Sequence, residues 1–235
     1  LLSAQAAVKN PTAILVDKKT NSVSVAEYVE GEYKVLKKYH ATLGKVRGDK
    51  EQEGDLKTPE GIYSLKARLE PPTIKPKFGS LAFYINYPNS FDLLAGRTGF
   101  DIMLHATDEP DRLKQDYDSE GCVVVKNEEI TEIDPLIRVG LTPILIFPEL
   151  TPEFMNPGKD LAMQTFFKKW VVAWENKDID GYIQGYHSDF TANGMDRDGW
   201  KKHKAGLNSR YSSISIKPEK ILYYRHVFLL YKFII

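Results

Sequence analysis

The chain has 235 residues, and its 32 Lys and Arg balance 32 Asp and Glu, so zero net charge gives nucleic acid or an anionic membrane no electrostatic hold. An apolar share of 42% beside 27% charged residues suits one or two globular domains with a real core, and no run of eighteen apolar residues offers a membrane span. The single cysteine, Cys122, excludes an intrachain disulfide and a cysteine-built zinc site.

In chain order, residues 1–11 form an N-terminal segment. Leu1–Ala7 lacks the basic start and full apolar core of a signal peptide, and is compatible with the new N-terminus left once a signal peptide is removed. From residue 12 to 150 the pattern is mostly β. Ala13–Asp17 reads as a buried strand before a Lys18–Asn21 turn, Val23–Val25 alternates, and Tyr33–Tyr39 is a further strand. Leu43–Pro59, rich in Gly, Lys, Asp and Glu, reads as a solvated loop; no Gly-Lys-Ser/Thr comes after it to make it a phosphate loop. Strands resume at Gly61–Leu65, Ala82–Tyr87, Asp101–Ala106, Cys122–Val125 and Thr142–Phe147, with a short helix at Glu128–Ile133.

Pro148, Pro152, Pro157 and Gly158 mark a linker over 151–159. A second domain occupies 160–235. Asp160 is a candidate N-cap for a helix whose Met163, Phe166, Phe167, Trp170, Val171 and Trp174 share one apolar face. Helices are expected at Asp180–Tyr186 and Arg197–Leu207, and strands at Phe190–Ala192, Ser213–Ile216, Ile221–Tyr224 and Val227–Ile235. His226-Val227 joins two strand patterns without a turn, which means one long strand or an omitted loop. His187 with Asp189, and Asp196 with Asp198, read as solvated loops rather than acid–base pairs.

The chemistry gathers at two strand ends. A cysteine between Gly and Val is by default a small buried hydrophobe. Here Ser119 and Glu120 make the preceding loop polar, Gly121 permits close backbone approach and brings an N–H near the sulfur, and His105 ends an apolar strand seventeen positions earlier. A thiol with a pKa of about 8.5 is a few per cent ionised at neutral pH and needs a nearby imidazole to react. His105 with Asp108 and Glu109 could instead hold a metal, but no second histidine lies at ligand spacing. A papain-like amidase would place its cysteine before its histidine, at a helix start; this order is the reverse. A non-catalytic scaffold would need neither group.

Leu43-Gly44-Lys45, Thr58-Pro59-Glu60-Gly61-Ile62-Tyr63, Ile102-Met103-Leu104-His105 and Ser119-Glu120-Gly121-Cys122-Val123 occur in that order. Together they resemble the L,D-transpeptidase catalytic domain, over roughly Thr12 to Phe147. The whole chain is similar to the cell-shape-determining peptidoglycan L,D-carboxypeptidases of helical Epsilonproteobacteria.

The resemblance implies an α+β protein: a mostly-β catalytic domain and then a nuclear-transport-factor-2-like α+β cone, here short of strands. It implies a periplasmic enzyme that trims the terminal D-Ala from peptidoglycan stem tetrapeptides through a Cys122 thioester. His105 is then the base and the Ala106 carbonyl its orienter, with Gly121, Thr107, Ser119 and Glu120 around the substrate. No metal and no cofactor are expected. The partner is the stem peptide, and a homodimer is compatible with the sequence. Where the family writes Ser/Thr-His-Gly-Cys-hydrophobic-Arg/Asn, this chain has Glu120 for the histidine and Val124 for the Arg or Asn; Ala106 stands where Gly often succeeds the catalytic histidine. These changes suit hydrolysis over transfer to an amine, which stays open as the alternative.

Overall fold

The computed structural model describes residues 10–155, 161–217, 222–225 and 231–234. The described residues group into two compact units, one built on 10–155 and the other on 161–217. No helix among them is long and apolar enough to cross a membrane.

The first unit is organised by an eight-stranded sheet. Its elements are β1 (Thr12–Asp17), β2 (Ser22–Val29), β3 (Glu32–His40), β4 (Leu43–Gly44), β5 (Gly61–Leu69), β6 (Ala82–Ile85), α1 (Ser90–Leu94), β7 (Met103–His105), β8 (Tyr117–Ser119), β9 (Val123–Val124), α2 (Asn127–Ile133), β10 (Pro143–Phe147) and α3 (Pro152–Met155). The strand order is β3-β2-β1-β10-β5-β6-β7-β9, with β4 and β8 forming a separate parallel pair. β1 and β10 lie mid-sheet, are buried along their whole length and pair in parallel, which is why both read as continuous apolar runs. β3 is one edge strand, and Lys34, Lys37 and Lys38 keep that mostly exposed edge charged against further pairing. Ile130 and Ile133 of α2 reach the core that holds Tyr63, Phe83, Leu104 and Val123.

Two expectations change here. Leu43–Pro59 is not wholly solvated. Leu43, Gly44, Lys50 and Thr58 are buried, because the Gly44 N–H donates to Thr58 Oγ1 and Lys50 Nζ pairs with Asp55 at 2.7 Å. The expected linker begins as α3, whose Phe154 packs on Phe147 and Tyr33 at ring-centroid distances of 4.7 and 5.8 Å.

The second unit holds α4 (Leu161–Glu175), α5 (Ile179–Ile183), a small hairpin of β11 (Thr191–Ala192) and β12 (Met195–Asp196), and α6 (Arg197–Arg210). Asp178 and Asp196 cap α5 and α6 by accepting the N–H groups of Gly181 and Gly199. Asp196 is therefore a cap rather than half of an acid–base pair, and His187 and Asp189 form an exposed pair at 3.7 Å. Ser213–Ile216 is not a strand: the Ile216 N–H goes to the Glu175 carboxylate at 2.8 Å instead of to a ladder. A further short pair comprises β13 (Leu222–Arg225) and β14 (Tyr231–Ile234). The expected cap at Asp160 and the His226-Val227 junction lie outside the described residues.

Candidate active site

β7 and β9 run parallel, with Leu104 opposite Val123 and His105 opposite Val124. Cys122, one step before β9, therefore lies beside Met103. Side chains alternate along strands, so Leu104 and Val123 point into the main core while Cys122, Met103 and His105 share the other face. Cys122 and His105 are diagonal neighbours there, about 7–8 Å apart between Cβ atoms by ordinary sheet spacing.

The approach to Cys122 requires glycine. Gly121 has φ +123°, and a Cβ there would sit 2.7 Å from the Lys57 carbonyl oxygen. Around it, Ser119 Oγ donates to the Cys122 carbonyl at 2.6 Å and accepts the Gly121 N–H at 3.1 Å, closing a tight loop below the nucleophile.

His105 is 3% exposed. Its Nδ1 bonds the Ala106 carbonyl, and a carbonyl can only accept, so Nδ1 carries the proton and Nε2 keeps its lone pair. The Phe78 ring stands edge-on to the imidazole, centroids 4.9 Å apart at 81°. Burial pushes the imidazole down to about 4; the Ala106 carbonyl opposes this, and Arg112 and Lys77 add to it.

The Cys122 thiol donates to the Asp101 carbonyl at 3.6 Å and accepts from the Met103 N–H. No hydrogen bond joins Sγ to His105 among the described residues. Burial pushes the thiol up to about 11, with Asp101 and Glu120 adding to that and Met103 N–H and Lys77 opposing it. At neutral pH the pair is thus a neutral thiol and a neutral imidazole on one face of the sheet.

The other residues singled out from the sequence fall in different places. Thr107 is buried, its Oγ1 accepting the Glu109 N–H and its carbonyl held by Asn127. Ser119 and Gly121 are buried and committed to each other. Glu120 is exposed at the rim. His105, Asp108 and Glu109 form no cluster able to hold a metal among the described residues. Sequence reasoning missed Phe78, Lys77, Tyr84 and Asp101. Lys77 and Phe78 come from a three-ten turn, Pro76–Phe78, whose only sequence signal is Pro76 and Gly79. Asp101 is held at φ +58° with its carboxylate taken by Tyr84 Oη at 2.7 Å. A separate cavity of about 260 Å³ lies among Lys18, Gly44, Arg47, Thr58, Glu60 and Tyr117, and neither Cys122 nor His105 lines it.

Comparison with known proteins fits this geometry. The model of the YkuD family, the L,D-transpeptidase catalytic domain, matches residues 11–146, and that of the Cds6 C-terminal NTF2-like domain matches residues 162–227. Among solved structures, Bd1075 of Bdellovibrio bacteriovorus is 36% identical, with a TM-score of 0.70, covering 92% of this chain and 77% of that one. The helical cell shape determining protein Pgp2 from Campylobacter jejuni shares the fold at 23% identity and a TM-score of 0.64, covering 92% of this chain and 74% of that one. YafK of Escherichia coli (strain K12), a putative L,D-transpeptidase, is 28% identical over 134 residues, 56% of this chain, and the chain spans about half the length of such curated relatives.

Proposed function

Because the chain belongs to the YkuD family of L,D-transpeptidase catalytic domains, we propose that it is a peptidoglycan L,D-carboxypeptidase, cutting the terminal D-Ala from stem tetrapeptides. The carrying observation is the His105 tautomer: Nδ1 is tied to Ala106, and Nε2 is left free on the sheet face that bears the only thiol.

The steps proceed from that arrangement. A stem peptide entering over Cys122 draws Sγ from the Asp101 carbonyl toward Nε2. With a thiol near 11, only about one sulfur in ten thousand is thiolate at pH 7, so His105 takes the proton as the S–C bond forms. The carbonyl oxygen becomes an oxyanion. The Gly121 N–H is already given to Ser119, so the Cys122 N–H is the donor assigned to it; such a donor is worth about 2.7–4 kcal/mol. As the C–N bond breaks, His105 returns the proton to the departing amine and D-Ala leaves. Water, deprotonated by His105, then attacks the thioester and restores the thiol.

Hydrolysis over transfer is supported by the resemblance to the L,D-carboxypeptidases, with which the side chains beside the thioester are compatible. Val124 is buried and apolar where the family carries Arg or Asn, and Glu120 is an exposed carboxylate where it carries histidine. Both changes remove donor or positive character, but the Glu120 carboxylate suits a held water and an ammonium acceptor alike, so its charge alone does not choose between them. In this reading the protein acts in the periplasm and remodels the wall, and the likeness to Pgp2 extends to a part in cell shape. Mass spectrometry of products from a defined tetrapeptide muropeptide, with excess D-amino acid present, tests it. Tripeptide should dominate; a majority of exchanged or crosslinked products would make the protein a transpeptidase.

A further inference from the structure

We propose that Lys77 is the binding residue for the free carboxylate of the departing C-terminal residue, the group that marks a peptide end as a substrate. The inference rests on the carboxypeptidase reading for its substrate and on the site's own geometry for its residue. Lys77 Nζ lies over the Phe78 ring, 5.1 Å from its centroid, and the same ring stands edge-on to His105, 4.9 Å away. Phe78 and Cys122 both pack against the small cluster of Ile74, Ala82 and Met103. The turn that carries Lys77 is clamped to the histidine strand at Gly79, where a Cβ would come within 2.7 Å of both Ala106 Cβ and the Thr107 nitrogen. The Phe78 ring thus touches both the ammonium and the imidazole, and the ammonium acts on the thiol as well as on His105.

That is where the chemistry puts the carboxylate. The proton returned by His105 goes to the leaving amine, and in an α-amino acid the carboxyl carbon is two bonds from that nitrogen. A carboxylate on the leaving residue thus lies close to the imidazole as the proton is handed over. The Asp101 and Glu120 carboxylates weigh on the thiol, and Lys77 is the cation that acts against them there and acts on the imidazole too. Two nearby cations are engaged, Arg112 with Asp118 at 3.0 Å and Lys126 with Glu129 at 3.7 Å. Lys77 is exposed and has no carboxylate partner among the described residues. A long, mobile, unpaired ammonium at the rim reads charge and tolerates variation in the side chain next to it.

The test uses the full chain and two forms of one stem tetrapeptide, ending in a free carboxyl or in a carboxamide. Calorimetric titration of Cys122→Ala and Cys122→Ala/Lys77→Ala isolates binding from turnover. The free acid should bind the first about tenfold tighter than the amide, and the second should bind both alike, the range for one partly exposed charge-assisted contact. Lys77→Arg should keep the preference and Lys77→Met should lose it, which separates charge from packing on Phe78. In the otherwise wild-type enzyme, Lys77→Ala should raise KM for the free acid about tenfold with kcat little changed. Equal affinity of the two Cys122→Ala proteins for the free acid, or no binding by either, overturns the assignment. Failure of the carboxypeptidase reading shows separately, as absence of free D-Ala release by the wild type.

Discussion

The two units hold their polar side chains by opposite means. Around Cys122 and His105, directional hydrogen bonds fix each position: the imidazole by the Ala106 carbonyl, the thiol by the Asp101 carbonyl and Met103 N–H, the loop by the Ser119 hydroxyl. In the unit built on 161–217, hydrogen bonds cap the helices, but the Lys204 ammonium is held by an aromatic surface. Trp170 stacks on Tyr182 at 5.4 Å, and the Lys204 ammonium lies 4.7 Å from the centres of both Trp174 and Trp200, with no buried residue on α6. Hydrogen bonds set directions to within tens of degrees, while ring contacts tolerate sliding. A group that must move a proton to one atom belongs in the first setting.

The largest effect that would break this contrast is at the nucleophile. Cys122→Ala should abolish D-Ala release, read by liquid chromatography, while circular dichroism and melting temperature stay near wild type. More than a tenth of the activity remaining would mean the sulfur is not the nucleophile. His105→Ala should come next, lowering the rate by about 10²–10⁴. With the thiol near 11 and no preformed ion pair, alkylation of Cys122 by iodoacetamide should rise about tenfold per pH unit from 7 to 9. A plateau near neutrality would show that a thiolate–imidazolium pair already exists.

Stability gives a smaller, signed effect. His105 falls from an ordinary 6.5 to about 4 on folding, so between those values the unfolded chain binds more protons. That contribution is intact above about pH 6.5 and is lost as pH drops through 4, a total of roughly 3 kcal/mol. Urea unfolding at pH 7 and pH 4 should show this loss in the wild type and not in His105→Gln. Parallel curves for the two proteins would place the imidazole in water. The smallest effect sharpens the other side of the contrast. Lys204→Met should cost about 0.5 kcal/mol of cation–π contact and shift tryptophan emission, with D-Ala release unchanged.

Much of the first unit was legible in the sequence, because β1, β10 and the chemistry-bearing strands combine strong local patterns with turn residues at their ends. His105 and Cys122 could be named since imidazole and thiol have few bland uses at strand ends in a polar setting. Lys77, Phe78, Asp101 and Tyr84 could not. Each reaches the site through a turn or across a sheet, and their windows carry no period. The buried part of Leu43–Pro59 was hidden for a related reason: Lys50 and Thr58 are polar residues satisfied by distant or looping partners, which composition cannot anticipate. In the second unit the helices were visible from their spacing. Ser213–Ile216 misled because β-branched alternation describes a strand only where a neighbour offers a ladder.

The Asp101 carbonyl that holds the thiol bears on durability as well as on catalysis. Peroxide oxidises thiolate, not thiol, and overoxidised sulfur is not recovered by simple reduction. Cys122 has no second cysteine in the chain to rescue it as a disulfide. In the proposed mechanism a thiol kept protonated by burial until a peptide enters is spared most oxidising encounters between turnovers, and the Asp101 carbonyl, which takes its proton in a hydrogen bond, covers the chain's only sulfhydryl meanwhile.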